Sequence, residues 1–462
     1  MTSEAVTPGQ RSDPRSAIEA LEAQLRATPR SLRPYEHATV AYRLGLAYAE
    51  NPTGSRAEML RKALACFDVA AGVFDPRFDP TEHARVLNAA GASQRALGDR
   101  RKAAELFARA AELFEGRDRD DERAAALNNL GLAHSELGQV EEAVVAFDTA
   151  ATLFDTTTAD GRRGLVATLL NRGQAHAALG TEEGLEAALD DYDQAQGDLD
   201  ADEAPYHYAL VHHSAGSAYS ALAARRPEER RRLLEEAVRA FGESLTVFSR
   251  TAFPYQHALA KYNLGLAQVG LAEVAAGEVG GGGRGRLQNL RRALANFEDA
   301  VALLDTRLHA DAWKQAFASL SRVEEQLGSE IPGASRADHF AALLALATEE
   351  ERHAVLRERL LRLLALPEPR NRRALTELAL AAVRVGRNAG LILETELALV
   401  MELPHESQEV AIRAIFDAHA TLGDDDREAA DRALDAAIGA ALGAPQRIFV
   451  RDYLYSLGWE RP

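Results

Sequence analysis

Six times along the first two-thirds of the chain, a glycine half is followed by an alanine–aromatic half, and this pairing limits what the chain can fold into. The glycine halves are Gly45-Leu46-Ala47, Gly91-Ala92-Ser93, Gly131-Leu132-Ala133, Gly173-Gln174-Ala175, Gly216-Ser217-Ala218 and Gly265-Leu266-Ala267. The second halves are Ala63/Phe67/Ala70/Phe74, Ala103/Phe107/Ala110/Phe114, Ala143/Phe147/Ala150/Phe154, Ala188/Tyr192/Ala195/Leu199, Ala237/Phe241/Ser244/Phe248 and Ala293/Phe297/Ala300/Leu304. Spacings of 4, 3 and 4 put each set of four on one helical face. A small residue lets two backbones approach, and the aromatic fills the space beside it. Such a unit cannot bury its face alone, so the copies must stack.

Spacing separates one joint from the other. From each alanine to the next glycine the gap is 28 in four cases and 30 in one, whereas from glycine to alanine it runs from 12 to 28. The period of 40 to 49 residues also suits HEAT or armadillo arrays by length. The run Asn129-Leu130-Gly131-Leu132-Ala133, ending in Leu137-Gly138 and followed by Ala143-x3-Phe147-x2-Ala150, resembles tetratricopeptide repeats (TPR). The period resembles the long variety of kinesin light chains and of bacterial arrays beside CHAT domains. The stretches Phe253-Pro254-Tyr255-Gln256-His257-Ala258 and Asn289-Leu290-Arg291-Arg292-Ala293 are similar to the latter. The resemblance covers about residues 35–328. It implies an all-α fold, a right-handed superhelical solenoid followed by a C-terminal helical domain or extension.

The constant gap extends the register. Adding 28 to Ala293 gives Ser321, and Leu327-Gly328 then closes a degenerate seventh first helix. Subtracting 28 from Gly45 gives Ala17, on an N-terminal capping helix at 16–27. The expected organisation is a disordered lead-in over 1–15, a cap over 16–34, the solenoid over 35–332 and a C-terminal α-helical domain over 333–462. In the last, helices are expected near 336–347, 350–366, 371–386, 389–402, 406–422, 426–441 and 446–457. They either continue the solenoid in a HEAT-like way or form a bundle. The final segment places Phe449, Tyr453 and Leu457 on one face, which either seals the C-terminal core or serves docking or homodimerisation.

Composition agrees with an all-helical chain. It is 47% hydrophobic but only 6% aromatic, without sustained period-2 alternation. A net charge of −17 argues against nucleic acid as partner. No run of 18 apolar residues exists, so no membrane span is expected. The polar N-terminus does not read as a signal peptide. One cysteine, Cys66, excludes an internal disulfide framework and reads as a buried small hydrophobe. These features point to the cytoplasm.

Chemical motifs are sparse. Gly280–Gly283 with Arg284-Gly285 lacks the Gly-Lys-Ser/Thr ending of a phosphate loop. The arginines at 225–226 and 230–232 read as a solvated helix start, and Asp424-Asp425-Asp426 as a capping cluster. His37, His83 and His257 each precede a repeat glycine by eight, and His134 and His176 each follow one by three. Residues recurring in register serve the repeat, so packing between helices is their expected role. His207, His212 and His213 lack metal-ligand spacing. No catalytic residue, cofactor or metal is expected, and the chain reads as no enzyme.

The resemblance implies that first helices line a concave groove. Three before each glycine come Tyr42, Asn88, Asn128, Leu170, His213 and Tyr262. Together with Arg85, Arg95 and Gln174, the polar members form the candidate partner-binding set. The expected function is a non-catalytic protein–protein interaction scaffold holding a protein or peptide segment in that groove. Insertions at 50–58, 223–230 and 272–286 mark a competing edge. The alternative function is a regulatory or accessory subunit that senses a peptide or small ligand.

Overall fold

Each of the six repeat glycines faces the aromatic ring of its own repeat. A Cβ built on Gly45, Gly91, Gly131, Gly173, Gly216 or Gly265 would lie 2.5–2.8 Å from Phe67, Phe107, Phe147, Tyr192, Phe241 or Phe297, respectively. No other residue fits at these positions without moving the ring. The structure, a computed structural model, describes residues 14–52, 54–197, 199, 201–202, 204–277 and 282–460. Of the expected lead-in, residues 1–13 lie outside them, and Pro14 and Arg15 already belong to a helix. The described residues are all-α, without a strand, and fall into two compact units, Met1–Ala252 and Phe253–Pro462.

In the first unit α1 (Pro14–Ala27) packs on α2 (Pro34–Glu50), which pairs with α3 (Arg56–Ala71). The pairs α4 (Pro80–Ala96) with α5 (Arg100–Phe114), α6 (Asp120–Glu136) with α7 (Val140–Ala151), α8 (Ala159–Ala178) with α9 (Glu182–Gly197), and α10 (Pro205–Ala223) with α11 (Arg230–Val247) follow. Pro34, Pro80 and Pro205 begin first helices, where a missing N–H costs nothing. Gly98 and Gly138, at φ 91° and 76°, close α4 and α6 and permit the shortest joints. First helices of neighbouring repeats pack on one another, as α4 does on α2 and α6, while second helices do not pack comparably. The first helices are therefore the tighter, inner layer.

The second unit begins with the sixth pair, α12 (Pro254–Ala276) and α13 (Gly282–Leu303). The insertion expected as a loop over 272–286 mostly lengthens these two helices, because its alanines and Gly282–Arg286 are helical. Residues 278–281, the core of the glycine tip, lie outside the described residues.

The array ends at α14 (Ala310–Glu330), and two side chains explain why. Its inward face buries Ala316, Leu320, Val323 and Leu327. At the glycine position stands Ser321, which is exposed, and seven before it stands Lys314, exposed where other first helices bury Ala or Val. A serine Cβ would clash with an aromatic in the geometry of the six pairs. No second helix of this kind can follow.

The chain turns back instead. The helix α15 (Arg336–Leu344) packs on α13. Then come α16 (Glu349–Leu364), α17 (Arg370–Arg384), α18 (Ala389–Val400), α19 (His405–His419), α20 (Asp424–Ala441) and α21 (Ala444–Ser456), seven helices from α15 on, near the expected places. Alternate helices pack on each other, α15 on α17, α17 on α19 and α19 on α21, with α16, α18 and α20 forming the other row. One hydrophobic cluster from Phe340 to Trp459 runs through both rows. The seven helices thus form two stacked rows rather than a closed bundle. The final helix is rotated by one residue from expectation. Val450 and Leu454 are the buried pair, while Phe449 and Tyr453 flank them, half-buried. The acidic triplet occupies the first turn of α20, with Gly423 at the cap position, so it complements the dipole without capping.

Candidate functional site

The polar side chains of the inner layer are largely spoken for within the fold. Arg85 on α4 grips Glu122 on α6 with two parallel bonds, Nε to Oε2 at 2.6 Å and Nη2 to Oε1 at 2.7 Å. Arg95 reaches Glu136 at 3.2 Å, and Arg100 joins the same carboxylate at 3.3 Å. The Arg85 and Arg95 pairs tie neighbouring first helices together, Arg100 adds a tie from α5, and each arginine is matched by a carboxylate.

The two candidate asparagines also bridge repeats. Asn129 Nδ2 donates to Asn88 Oδ1 at 3.1 Å, and Asn171 Nδ2 donates to Asn128 Oδ1 at 3.0 Å. Thr168 Oγ1 donates to the same Asn128 oxygen at 3.2 Å. Both candidates thus use their oxygens as acceptors within the ladder. Among the described residues no hydrogen bond within the chain takes the Nδ2 of Asn88 or Asn128.

The aromatic members lean on the second-helix rings. Tyr42 lies 6.0 Å from Phe67, His213 5.4 Å from Phe241 and, in the second unit, Tyr262 5.7 Å from Phe297, centroid to centroid. Each is half-buried. Burial raises the pKa of the Tyr42 hydroxyl; Arg85 opposes the shift and Glu122 adds to it, which places the phenol beside that ion pair. Burial pushes His213 down to about 4, so it is neutral at pH 7. Leu170 is buried and Gln174 is exposed.

Other histidines serve the constant joint. His37 Nδ1 and His83 Nδ1 each lie 2.7 Å from a carbonyl nine residues upstream, Thr28 O and Phe74 O. Their recurrence therefore reflects loop hydrogen bonds more than the helix packing expected. The arginine cluster is likewise engaged: Arg226 pairs with Glu186 at 2.6 Å and Glu182 at 3.1 Å, and Arg225 donates to Gly180 O at 2.6 Å. Arg225 and Arg226 thus tie the loop between α10 and α11 to α9 and the turn before it, whereas Arg231 and Arg232, exposed in the first turn of α11, are the solvated helix start expected. Cys66 is half-buried rather than fully buried, and desolvation pushes its thiol up to about 11.

One polar centre escapes sequence reading. Asp191 on α9, 3% exposed, takes Arg172 Nε at 2.9 Å and contacts His176 Nδ1 at 2.8 Å. Arg172 also donates to Asp148 at 2.9 Å. A signal existed: Arg172 directly precedes a repeat glycine, where the other copies have Leu44, Ala90, Leu130, Ala215 and Leu264. Among the described residues no three His, Cys, Asp or Glu side chains gather as a metal site, and no helix is long and apolar enough to cross a membrane.

The chain matches no protein-family model and no curated protein sequence. Solved structures do match. YrrB, a TPR protein with an unusual peptide-binding site, is 19% identical over 50% of this chain and 93% of its own, at a TM-score of 0.32. The Rap conjugation gene regulator of plasmid pLS20, solved with the Phr* peptide, is 12% identical over 89% and 98%, at 0.36. A circular tandem repeat protein is 14% identical over 96% and 91%, at 0.19. The described residues of the chain form an all-α array of paired, repeated helices.

Proposed function

We propose that this chain is a non-catalytic cytoplasmic scaffold whose first-helix layer holds an extended segment of a protein partner. The observation that carries this reading is the inner wall of repeats one to three. There Tyr42, Asn88 and Asn128 occupy the same register position in consecutive repeats, half-buried, with nearby charges neutralised in pairs. A rigid aromatic followed by amide donors suits a peptide backbone better than a reacting group. His213 and Gln174 would extend the contact along the first unit, and Tyr262 supplies the matching position of repeat six. The period of the array fits the kinesin-light-chain-like or CHAT-associated type.

Photo-crosslinking tests the surface. A benzophenone side chain at exposed Gln174, on the inner layer, should capture the partner in its own cell extract. The same group at exposed Val145, on the outer helix α7, should not. Capture from Val145 alone would move the site to the outer face.

A second reading, a regulatory or accessory subunit, has one observation in its favour. The outward face of α13 meets α15 and α16 largely through charges. Glu298 pairs with Arg359 at 2.7 Å, Asp299 with Arg362, and Lys261 of α12 reaches Asp299 at 3.4 Å and Glu358 at 3.6 Å. A polar joint of this kind responds to ligand-induced strain in the repeats more readily than an apolar one. Hydrogen exchange in α15 and α16, compared with and without the captured partner, tests it: unchanged exchange rejects this second reading.

A further inference from the structure

We infer that the bare face of α14 docks an amphipathic helix of another protein, one that carries a small residue, an apolar residue four positions on and a carboxylate seven positions on. Neither this face nor its ligand depends on the groove. Three observations converge on it: what the second helices touch in the six pairs, what α14 leaves open at the same positions, and which residues stand there.

The second helix seats on two points of the first. Its aromatic lies against the repeat glycine in all six pairs. Its small residue and its last apolar residue cluster with the residue seven before that glycine. Ala38 joins Ala70 and Phe74, Ala84 joins Ala110 and Phe114, and Ala258 joins Ala300 and Leu304. That first-helix residue, Ala38, Ala84, Ala124, Val166, Ala209 or Ala258, is 0–3% exposed in every copy.

On α14 both points are open. Ser321 at the glycine position, Lys314 seven before it and Ala318 between them are all exposed. Phe317 stands four before the glycine position, where Ala41 and Leu169 are 0% exposed in their own helices, yet it is 45% exposed. It stacks on Trp313 with ring centres 5.0 Å apart and planes 9° apart. Ala316, Leu320, Val323 and Leu327 anchor the helix from another side. Among the described residues nothing covers the seat, and an apolar patch edged by charge marks an interaction surface.

The seat continues an interface built six times in this chain, so its residues define the occupant. A Cβ at the glycine position leaves no room for the second-helix aromatic. The residue that meets Ser321 is therefore Gly, Ala or Ser, and the rings come from α14 instead. In the second halves the last apolar residue follows the aromatic by seven, as Phe74 follows Phe67 and Leu304 follows Phe297. Its counterpart here meets Lys314, whose ammonium pairs among the described residues with Asp311 alone, at 3.8 Å on open surface. A carboxylate answers that charge. Four after the small residue, on the same helical face, an apolar side chain packs on Phe317 and Trp313.

The test uses the full chain and a fluorescein-labelled, lactam-stapled helix of about 18 residues with Ala, Leu and Glu at the three points. One control probe has Phe in place of Ala, and another has Lys in place of Glu. Fluorescence anisotropy should show saturable binding of the first probe and at least about tenfold weaker binding of the Phe probe. Phe317→Ala should weaken the first probe at least about tenfold. Lys314→Glu should reverse the preference, so that the Lys probe binds more tightly than the Glu probe. Both positions are exposed, so circular dichroism and Tm should hold. Binding that ignores Phe317→Ala, a charge preference that does not reverse, or no saturable binding of the first probe overturns the inference. A dimer in sedimentation equilibrium that dissociates in Phe317→Ala would make a second copy the occupant and overturn it equally.

Discussion

Gly131 faces Phe147 so closely that a Cβ on the glycine would sit 2.5 Å from the ring's Cε1 and 2.7 Å from its Cζ. The two residues are one structural unit split between α6 and α7. Gly131→Leu should destabilise the chain by about 2 kcal/mol or more, because the ring, 0% exposed, has nowhere to go. Phe147→Ala should cost about 3–5 kcal/mol. In the double variant the leucine should enter the space left by the ring, so the costs should fall short of additive by at least about 1 kcal/mol in urea unfolding. Strict additivity would mean that the two side chains do not meet.

Asp191 should behave as a buried counter-ion. Asp191→Ala leaves Arg172 unpaired on that side and should lower stability by about 3–5 kcal/mol. Arg172→Leu, which restores the apolar residue of the other repeats, should recover much of that loss in combination. Thermal unfolding of the single and double variants gives the answer; a double variant no better than Asp191→Ala alone would refute the pairing.

Glu396 gives the chain a pH dependence. It is 2% exposed on α18, its Oε2 has no hydrogen-bond partner among the described residues, and burial pushes its carboxyl up to about 7. In the unfolded chain the group ionises near the ordinary value of 4.5. The stability of the neutral form is therefore full below about 4.5 and is lost as pH rises to about 7, in all about 3 kcal/mol. Glu396→Gln should remove that slope and raise Tm at pH 8 relative to the parent. An unchanged pH profile in the variant would assign the dependence to another group.

Glu298, 9% exposed, should hold the C-terminal rows to the array. Glu298→Ala strands Arg359, whose guanidinium also lies 4.3 Å from the Phe340 ring centre. Faster hydrogen exchange confined to α15 and α16 is the expected result. Because both side chains are mostly buried, 0.5 M salt should change the parent's exchange little. Salt-induced opening would show the joint to be solvent-screened.

The six glycine–aromatic pairs were legible because one close contact demands one residue at one spacing, whatever surrounds it. A seventh contact of the same kind was not. A Cβ on Gly164, on α8, would sit 2.3 Å from Phe154 Cε1, a meeting across a loop rather than at the repeat spacing. The candidate residues were legible as a register but not as partners. That Arg85 and Glu122 would pair, 37 residues apart, depends on the stagger of neighbouring first helices, which a single repeat does not encode. The buried face of the last helix was misplaced by one residue because Phe449 outweighs Val450 in size, whereas the two rows select for the direction of packing.

Ser321 acts as punctuation. Arrays of this kind lengthen by duplication of a pair, and growth is open-ended as long as each first helix offers the next ring a bare backbone. One hydroxymethyl group closes that possibility and releases the chain to a different mode of packing. Glycine at 321 and alanine at 314 would give α14 the face of the other six first helices, ready to take a grafted copy of α13.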